Sequence, residues 1–269
     1  METTHPKPVS TVYGPVRSWR VGLSLGIDLI LETSVCSFNC IYCQLGNIQV
    51  VTNQRKLFVP TDTVLRDFLA SRWRESDIIT YSGSGEPTLA TNLGEVAREI
   101  SRITPIPQLV LTNGALLQDP QVIQDLQGVH RVYVKLDAAS EEMFQRINRP
   151  ANGITLASIV DQVKRFRKRY KGMLGIQVMF MPLNRNETER LAEILRDIQP
   201  DEVQLNTPTR PYPRYWHIAS RGGHTEALRP YPSTPLRTIS REEAAAIETR
   251  LRDLTGLPIV AVNNNAPGK

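Results

Sequence analysis

The 269-residue chain has only three cysteines, and none lies outside residues 36–43. An odd number of thiols packed so tightly excludes a disulfide framework. A fourth cysteine is missing, and no histidine stands near the three. That argues against the two separated ligand pairs of a structural zinc site. Long apolar runs are also missing: none approaches the roughly 18–20 residues that a membrane helix needs. The opening METTHPKPVS lacks the apolar stretch of a secretory leader. The expectation is a cytoplasmic chain without membrane contact, in a reducing compartment where thiols stay free for metals or chemistry. Charge of one sign is not in great excess either. A net charge of +5 permits a polyanionic partner without requiring one. No internal repeat or low-complexity tract is present.

What is present is alternation. Apolar runs at VGLSLGIDLIL, SDIITYSG, PQLVLTNG, HRVYVKLDA, GIQVMFMP and DEVQLNTP read as strands. Between them lie amphipathic segments. TDTVLRDFLA puts Val64, Leu65, Phe68 and Leu69 on one face, and NLGEVAREISRI does the same with Leu93, Val96, Ile100 and Ile103. DPQVIQDLQG carries its own punctuation, with Asp119 as cap, Pro120 in the first turn and Gly128 as stop. Six strands alternating with helices predict an α/β fold built on a partial, open six-stranded βα barrel, because eight units would be needed to close one. Functional groups then belong at the carboxyl ends of the strands. The chain is expected to form a single domain over 1–269, with a barrel core at 20–210 and a C-terminal extension at 211–269. After Pro208 the pattern breaks into a segment rich in proline, arginine and aromatics. SREEAAAIETRLRDLTG then gives a last helix, capped by Ser240 and Glu243 and ended by Gly256. The terminal NNNAPGK is expected to fray.

Cys36, Cys40 and Cys43 follow the first strand as C-x3-C-x2-C. Three thiols on one loop can be buried structural residues, a zinc site, or the ligands of a 4Fe–4S cluster with one iron left open to a non-protein ligand. Their concentration in eight residues with no fourth thiol favours the last.

The stretch CSFNCIYC, with Tyr42 before the last cysteine, resembles the cluster loop of the radical S-adenosylmethionine (SAM) superfamily. The resemblance implies a cluster on Cys36, Cys40 and Cys43 whose open iron chelates the amino and carboxylate groups of SAM. It also implies one-electron cleavage to methionine and a 5′-deoxyadenosyl radical that abstracts hydrogen from substrate. One βα unit later, YSGSGEP is similar to the superfamily's glycine-rich motif. Gly83, Gly85 and Glu86, followed by Pro87, would there receive the ammonium of SAM. By the same analogy, polar groups at later strand ends contact SAM or substrate. Asn113, Lys135, Asp137 and Asn206 are the candidates, together with Tyr42 in the cluster loop. Alternation sends Lys135 and Asp137 to one face, where they suit either ligand binding or a mutual ion pair. Met179 and Leu205 suit adenine contact or core packing.

Wider phrases, YGPVRSWRVGLSLGIDLI, CQLG, KLDA and LNTPTRP, look like a compact group related to the enzymes that build the tricyclic wyosine base on transfer RNA. Those enzymes carry extra cysteines for a second cluster. This chain has none left, so that cluster's substrate role does not carry over. Implied partners are an electron donor such as flavodoxin or ferredoxin and, as substrate, tRNA or a protein. The alternatives are a glycyl-radical-type protein activase and a non-catalytic iron–sulfur or zinc protein that binds nucleic acid. Two segments bear on the substrate. VKRFRKRYKG carries Lys164, Arg165, Arg167, Lys168, Arg169 and Lys171, expected to be a solvated face, with Val163, Phe166 and Tyr170 buried. RPYPRYWHIASRGGH places Arg210, Arg214, Tyr215, Trp216 and His217 as a cover at the barrel mouth.

Overall fold

The computed structural model describes residues 9–222 and 231–261; the terminal NNNAPGK and the end of the RPYPRYWHIASRGGH stretch lie outside the described residues. Its centre is one curled sheet of eight strands, not six. In chain order these are β1 (Val12–Ser18), β2 (Gly22–Ile27), β3 (Ile78–Tyr81), β4 (Gln108–Thr112), β5 (Arg131–Lys135), β6 (Met173–Met179), β7 (Glu202–Asn206) and β8 (Ile259–Ala261). Order in the sheet repeats order in the chain. β2 through β8 run parallel, and β1 folds back antiparallel on β2.

The two added strands are the corrections to the six-strand expectation. β1 contains Gly14 and Pro15, which break the period-2 pattern, and the ladder absorbs them in an irregularity between Tyr13 and Val16. β8 is three residues long and pairs with Val203–Leu205 of β7. It belongs to the C-terminal extension, which therefore completes the sheet.

Among the described residues the α-helices are α1 (Thr61–Ala70), α2 (Leu93–Ile103), α3 (Pro120–Leu126), α4 (Glu141–Ile147), α5 (Leu156–Arg169), α6 (Thr188–Ile198) and α7 (Arg241–Thr255). Their ends follow local chemistry. Asp119 caps α3 through the Gln121 amide, Ser240 and Glu243 form the capping box of α7, and Gly256 closes α7 at φ +66°. The apolar stripes face the sheet, except that Leu69 and Ile103, in the last turns of α1 and α2, are exposed.

Alternation along the strands sorts the sheet into two unlike faces. Ile79, Val110, Val132, Ile176 and Val203 point to the helices and form the main core. The concave face is polar over much of its area. Ser24 and Thr80 share a hydrogen bond of 2.8 Å, and Gln177 donates to Gln204, which donates to Glu202. Ile78, Leu109 and Tyr133, with Val21 and Leu111 packed against them, form an apolar cluster on this face. The lumen is therefore lined for a ligand and not filled as a core. Among the described residues no helix is long and apolar enough to cross a membrane.

Candidate functional site

The cysteine loop leaves β2 at Asp28, a fully buried carboxylate. One Asp28 oxygen accepts the amides of Ile30 and Leu31 at 3.0 Å, and the other accepts Ser84 N–H at 3.1 Å and Ser84 Oγ–H at 2.6 Å. Asp28 thus ties the start of the cysteine loop to the glycine loop after β3. A second tie follows at once. Val35 N–H donates to Ser84 O and Glu86 N–H donates to Val35 O, both at 3.0 Å. This pairing needs Gly85, because a Cβ there would stand 1.7 Å from the Val35 carbonyl oxygen. Gly83, at φ +136°, packs against Asp28, whose carboxyl carbon would stand 2.5 Å from a Cβ there. On its other side the loop rests on the end of α4. Ile41 N–H donates to Ile147 O at 2.9 Å, and Phe38 meets Phe144 edge-on at 5.4 Å.

Held this way, Cys36, Cys40 and Cys43 are half-buried and border one cavity of about 420 Å³. Amide donors aim at two of the sulfurs. Phe38 N–H and Asn113 Nδ2–H reach Cys36 Sγ at 3.4 and 3.5 Å, and Asn148 Nδ2–H reaches Cys40 Sγ at 3.5 Å. Burial pushes all three thiols up, Cys40 to about 12 with help from Asp137, and Cys43 to about 11. Thiolates at this wall therefore need a cationic metal centre to exist at neutral pH. Soft sulfur donors flanked by N–H groups, with no fourth thiol, fit a cluster that takes three protein ligands.

Glu86 and Asn113 border the same cavity. Glu86 is buried and both its oxygens are engaged. It accepts Thr88 N–H (3.0 Å), Thr88 Oγ–H (2.7 Å), Thr112 Oγ–H (2.7 Å) and Asn113 N–H (2.7 Å). Burial raises its carboxyl and these donors pull it back down. Glu86 therefore ties the loop after β3 to the end of β4, as well as bordering the cavity. Glu86→Gln is expected to turn an amide N–H toward one of these donors. It should destabilise the chain by about 1–3 kcal/mol, read by urea unfolding, and weaken SAM binding. Unchanged stability would remove the tie.

Lys135 lines the cavity from β5. Its Nζ pairs with Asp137 at 3.0 Å and stands 5.3 Å from the Tyr42 ring. Asp137 lies past the strand end, behind the cavity wall. It also accepts Tyr42 Oη–H, Asn148 Nδ2–H at 2.8 Å and Met179 N–H at 2.8 Å. The mutual ion pair is thus the arrangement found, and Asp137 supports Tyr42 and Lys135. Burial, with Asp137 beside it, holds the Tyr42 phenol well above its ordinary range. Asn206 and Met179 face the cavity, whereas Leu205 points away into the core. Asn206 Oδ1 accepts the Thr207 amide at 2.9 Å.

Three of the six cations in the basic stretch at 164–171 are paired. Lys164 pairs with Asp197, Arg165 with Asp161 and Arg167 with Asp201. Val163, Phe166 and Tyr170 are buried beneath it. The segment after β7 crosses the mouth. Arg210 bonds Gln44 and Tyr212 Oη–H donates to Asn47 at 2.7 Å, both partners in the cysteine loop. Thr207 to Arg210 and Gly222 line the cavity; Arg214 and Tyr215 are exposed and Trp216 is off the lining. Two residues that sequence reasoning missed complete the assembly. Arg221 is buried and pairs with Asp28 at 3.0 Å, with its guanidinium 5.2 Å from the Tyr13 ring. Asn148 supports Cys40 and Asp137 together.

A curled parallel sheet with three thiols after its first parallel strand, and a glycine loop locked against them, defines a radical SAM domain. The sequence pattern described as "Radical SAM superfamily" matches residues 30–198. The "UPF0026 protein slr1464" of Synechocystis sp. is 43% identical over 257 residues, 95% of each chain. A UPF0026 protein of Methanocaldococcus jannaschii is 33% identical over 210 residues, and the match spans 76% of this chain and 65% of that one. Among solved structures, TYW1 with a lysine-pyruvate adduct bound superposes with a TM-score of 0.62 at 17% identity, over 87% of this chain and 75% of that one. The chain belongs to the radical SAM superfamily, in the group of UPF0026 proteins.

Proposed function

We propose that this chain is a radical SAM enzyme with one 4Fe–4S cluster, held by Cys36, Cys40 and Cys43. The observation that carries the reading is the shared cavity: the three thiols border the same space as Glu86, Asn113 and the polar lumen. When bound, the cluster and SAM supply reductive cleavage to methionine and a 5′-deoxyadenosyl radical that takes a hydrogen atom from substrate. The chain's own residues do the rest. Asn113 and Asn148 direct N–H groups at sulfur, which tunes a bound metal centre. Gly83 and Gly85 let backbone approach the ligand closely. Lys135, paired with Asp137, and the Asn206 amide face the space where SAM and substrate meet. The electron comes from an external donor such as flavodoxin or ferredoxin. The wyosine-synthase likeness implies a tRNA substrate; with Lys164, Arg165 and Arg167 paired, phosphate contacts on the basic stretch would fall to the exposed Lys168, Arg169 and Lys171.

Anaerobic reconstitution is expected to load about four irons and four sulfides per chain. Iron and sulfide analysis with electron paramagnetic resonance checks this. Stoichiometric zinc with no iron uptake would overturn the assignment.

A further inference from the structure

Polar side chains on the lumen wall pair with one another, as Ser24 does with Thr80 and Tyr13 with Ser82. Two amides on neighbouring strands keep one end unpaired, and the sense of each is fixed. The first is Gln177 on β6. A carboxylate can only accept, and Glu202, at the start of β7, takes Tyr133 Oη–H at 3.0 Å and Gln204 Nε2–H at 2.7 Å on one oxygen. Gln204 must therefore turn its carbonyl oxygen toward Gln177, whose Nε2–H it accepts at 2.8 Å. That leaves Gln177 Oε1 as an acceptor. The second is Asn206 at the end of β7. Its Oδ1 accepts the Thr207 amide at 2.9 Å, which leaves Nδ2–H as a donor. Both residues border the cavity, and among the described residues neither Gln177 Oε1 nor Asn206 Nδ2 has a hydrogen-bond partner. Neither atom is sealed inside the wall, since the fully buried side-chain atoms without a partner belong to other residues.

Gln177 stands opposite Gln204 in the ladder, and Met179 opposite Asn206. Gln177 and Asn206 are thus diagonal neighbours on one face, with backbones roughly 8 Å apart. Met179 stands at the corner between them and also borders the cavity. An acceptor and a donor side by side fit a ligand edge that carries an N–H and a C=O side by side. A trans peptide puts those groups on opposite edges, whereas a ring lactam holds them on one. Glu86 follows β3, three strands from β6, or roughly 14 Å along the sheet. The amide pair therefore lies across the lumen from the glycine loop. We propose that Gln177 and Asn206 bind the substrate by a heterocyclic base with a lactam edge, and that Gln204 and Glu202 act as positioning residues that fix the sense of the Gln177 amide. This deepens the radical SAM reading, on which it rests, by naming a substrate class.

The test is equilibrium dialysis of the full-length reconstituted protein with radiolabelled uracil, competed by unlabelled 1,3-dimethyluracil, which has the same ring but no N–H. Saturable uracil binding is expected, with the dimethyl analogue at least about tenfold weaker, because it leaves Gln177 Oε1 without a donor. Asn206→Asp keeps the acceptor for the Thr207 amide and removes the donor, so uracil affinity should fall about tenfold. Gln177→Leu should cost a similar factor; if it does not fold, Asn206→Asp carries the test. Gln204→Met does not touch the probe but frees the Gln177 amide to turn. It should therefore narrow the discrimination between uracil and its dimethyl analogue, which a merely structural role would leave unchanged. Saturating SAM should not lower uracil affinity. Competition by SAM would assign the amide pair to the adenine of SAM and overturn the proposal. So would absence of saturable binding up to the solubility limit of uracil, equal affinity for the two probes, or affinity that the Gln177 and Asn206 variants do not alter. If uracil binds yet the protein takes up no iron, the radical reading fails while the base site stands.

Discussion

Cys40→Ala protein is expected to hold no intact cluster and to yield no detectable 5′-deoxyadenosine from SAM under reducing conditions. All three cysteines of the chain border the cavity, so no other thiol can replace the lost ligand. Cys40 sits in the tight turn where Cys43 N–H donates to Cys40 O at 3.1 Å, and Asn148 aims its amide at the sulfur. Cys40→Ser should fail as well, since a hydroxyl is too hard a donor for iron in this role. Folding should survive, because the side chain is half-buried and alanine fits its space. The measurements are chromatography of the nucleoside product and iron content, with circular dichroism as the folding control. Wild-type yield from the alanine variant would take Cys40 out of the metal centre.

Gly85→Ala should have the largest effect on structure. The new methyl would meet the Val35 carbonyl oxygen, which is backbone and cannot rotate away. Separating the two loops breaks the bonds that join Val35 to Ser84 and to Glu86, and displaces the adjacent Cys36. Stability should fall by about 3 kcal/mol, and SAM affinity by more than about a hundredfold, the counterpart of at least 2.7 kcal/mol. Gly128→Ala is the control. Nothing stands within 4 Å of a Cβ there, so its effect should stay within about 0.5 kcal/mol. Urea unfolding of the cluster-free proteins and SAM titration of the reconstituted ones give the comparison. Equal behaviour of the two variants would show that the loops are not locked at Gly85.

Periodicity carried most of the architecture. The six long strands and the helices between them show clean alternation and capping residues, and the structure has them where the pattern puts them. β1 and β8 escaped because Gly14 and Pro15 interrupt one and the other is only three residues long. Local spacing revealed the thiols and the glycine loop, since both motifs are contiguous. It did not reveal Asp28, Arg221 or Asn148. Each acts through a partner far away in the chain, 193 residues in the case of Arg221 and Asp28, and isolated charged or amide residues carry no periodic signal. Asp137 was visible, but its burial behind Tyr42 and Lys135 depends on where the strand ends. Arg20 and Arg210 lie outside the regular elements, in segments with no periodic signal to place them at the cavity.

Because neighbours in the sheet are neighbours in the chain, a nascent polypeptide can add each strand to a finished edge as it emerges, with few long loops to close. The contacts that the segment after β7 makes with the first βα loop are the exceptions, and the longest of those described is the contact between Asp28 and Arg221. It joins the first βα loop to a segment made near the end of synthesis, and so carries one of the longest closures in the molecule. Assembly therefore runs in a definite order: the thiol loop is complete while the arginine that seals its far side is still absent.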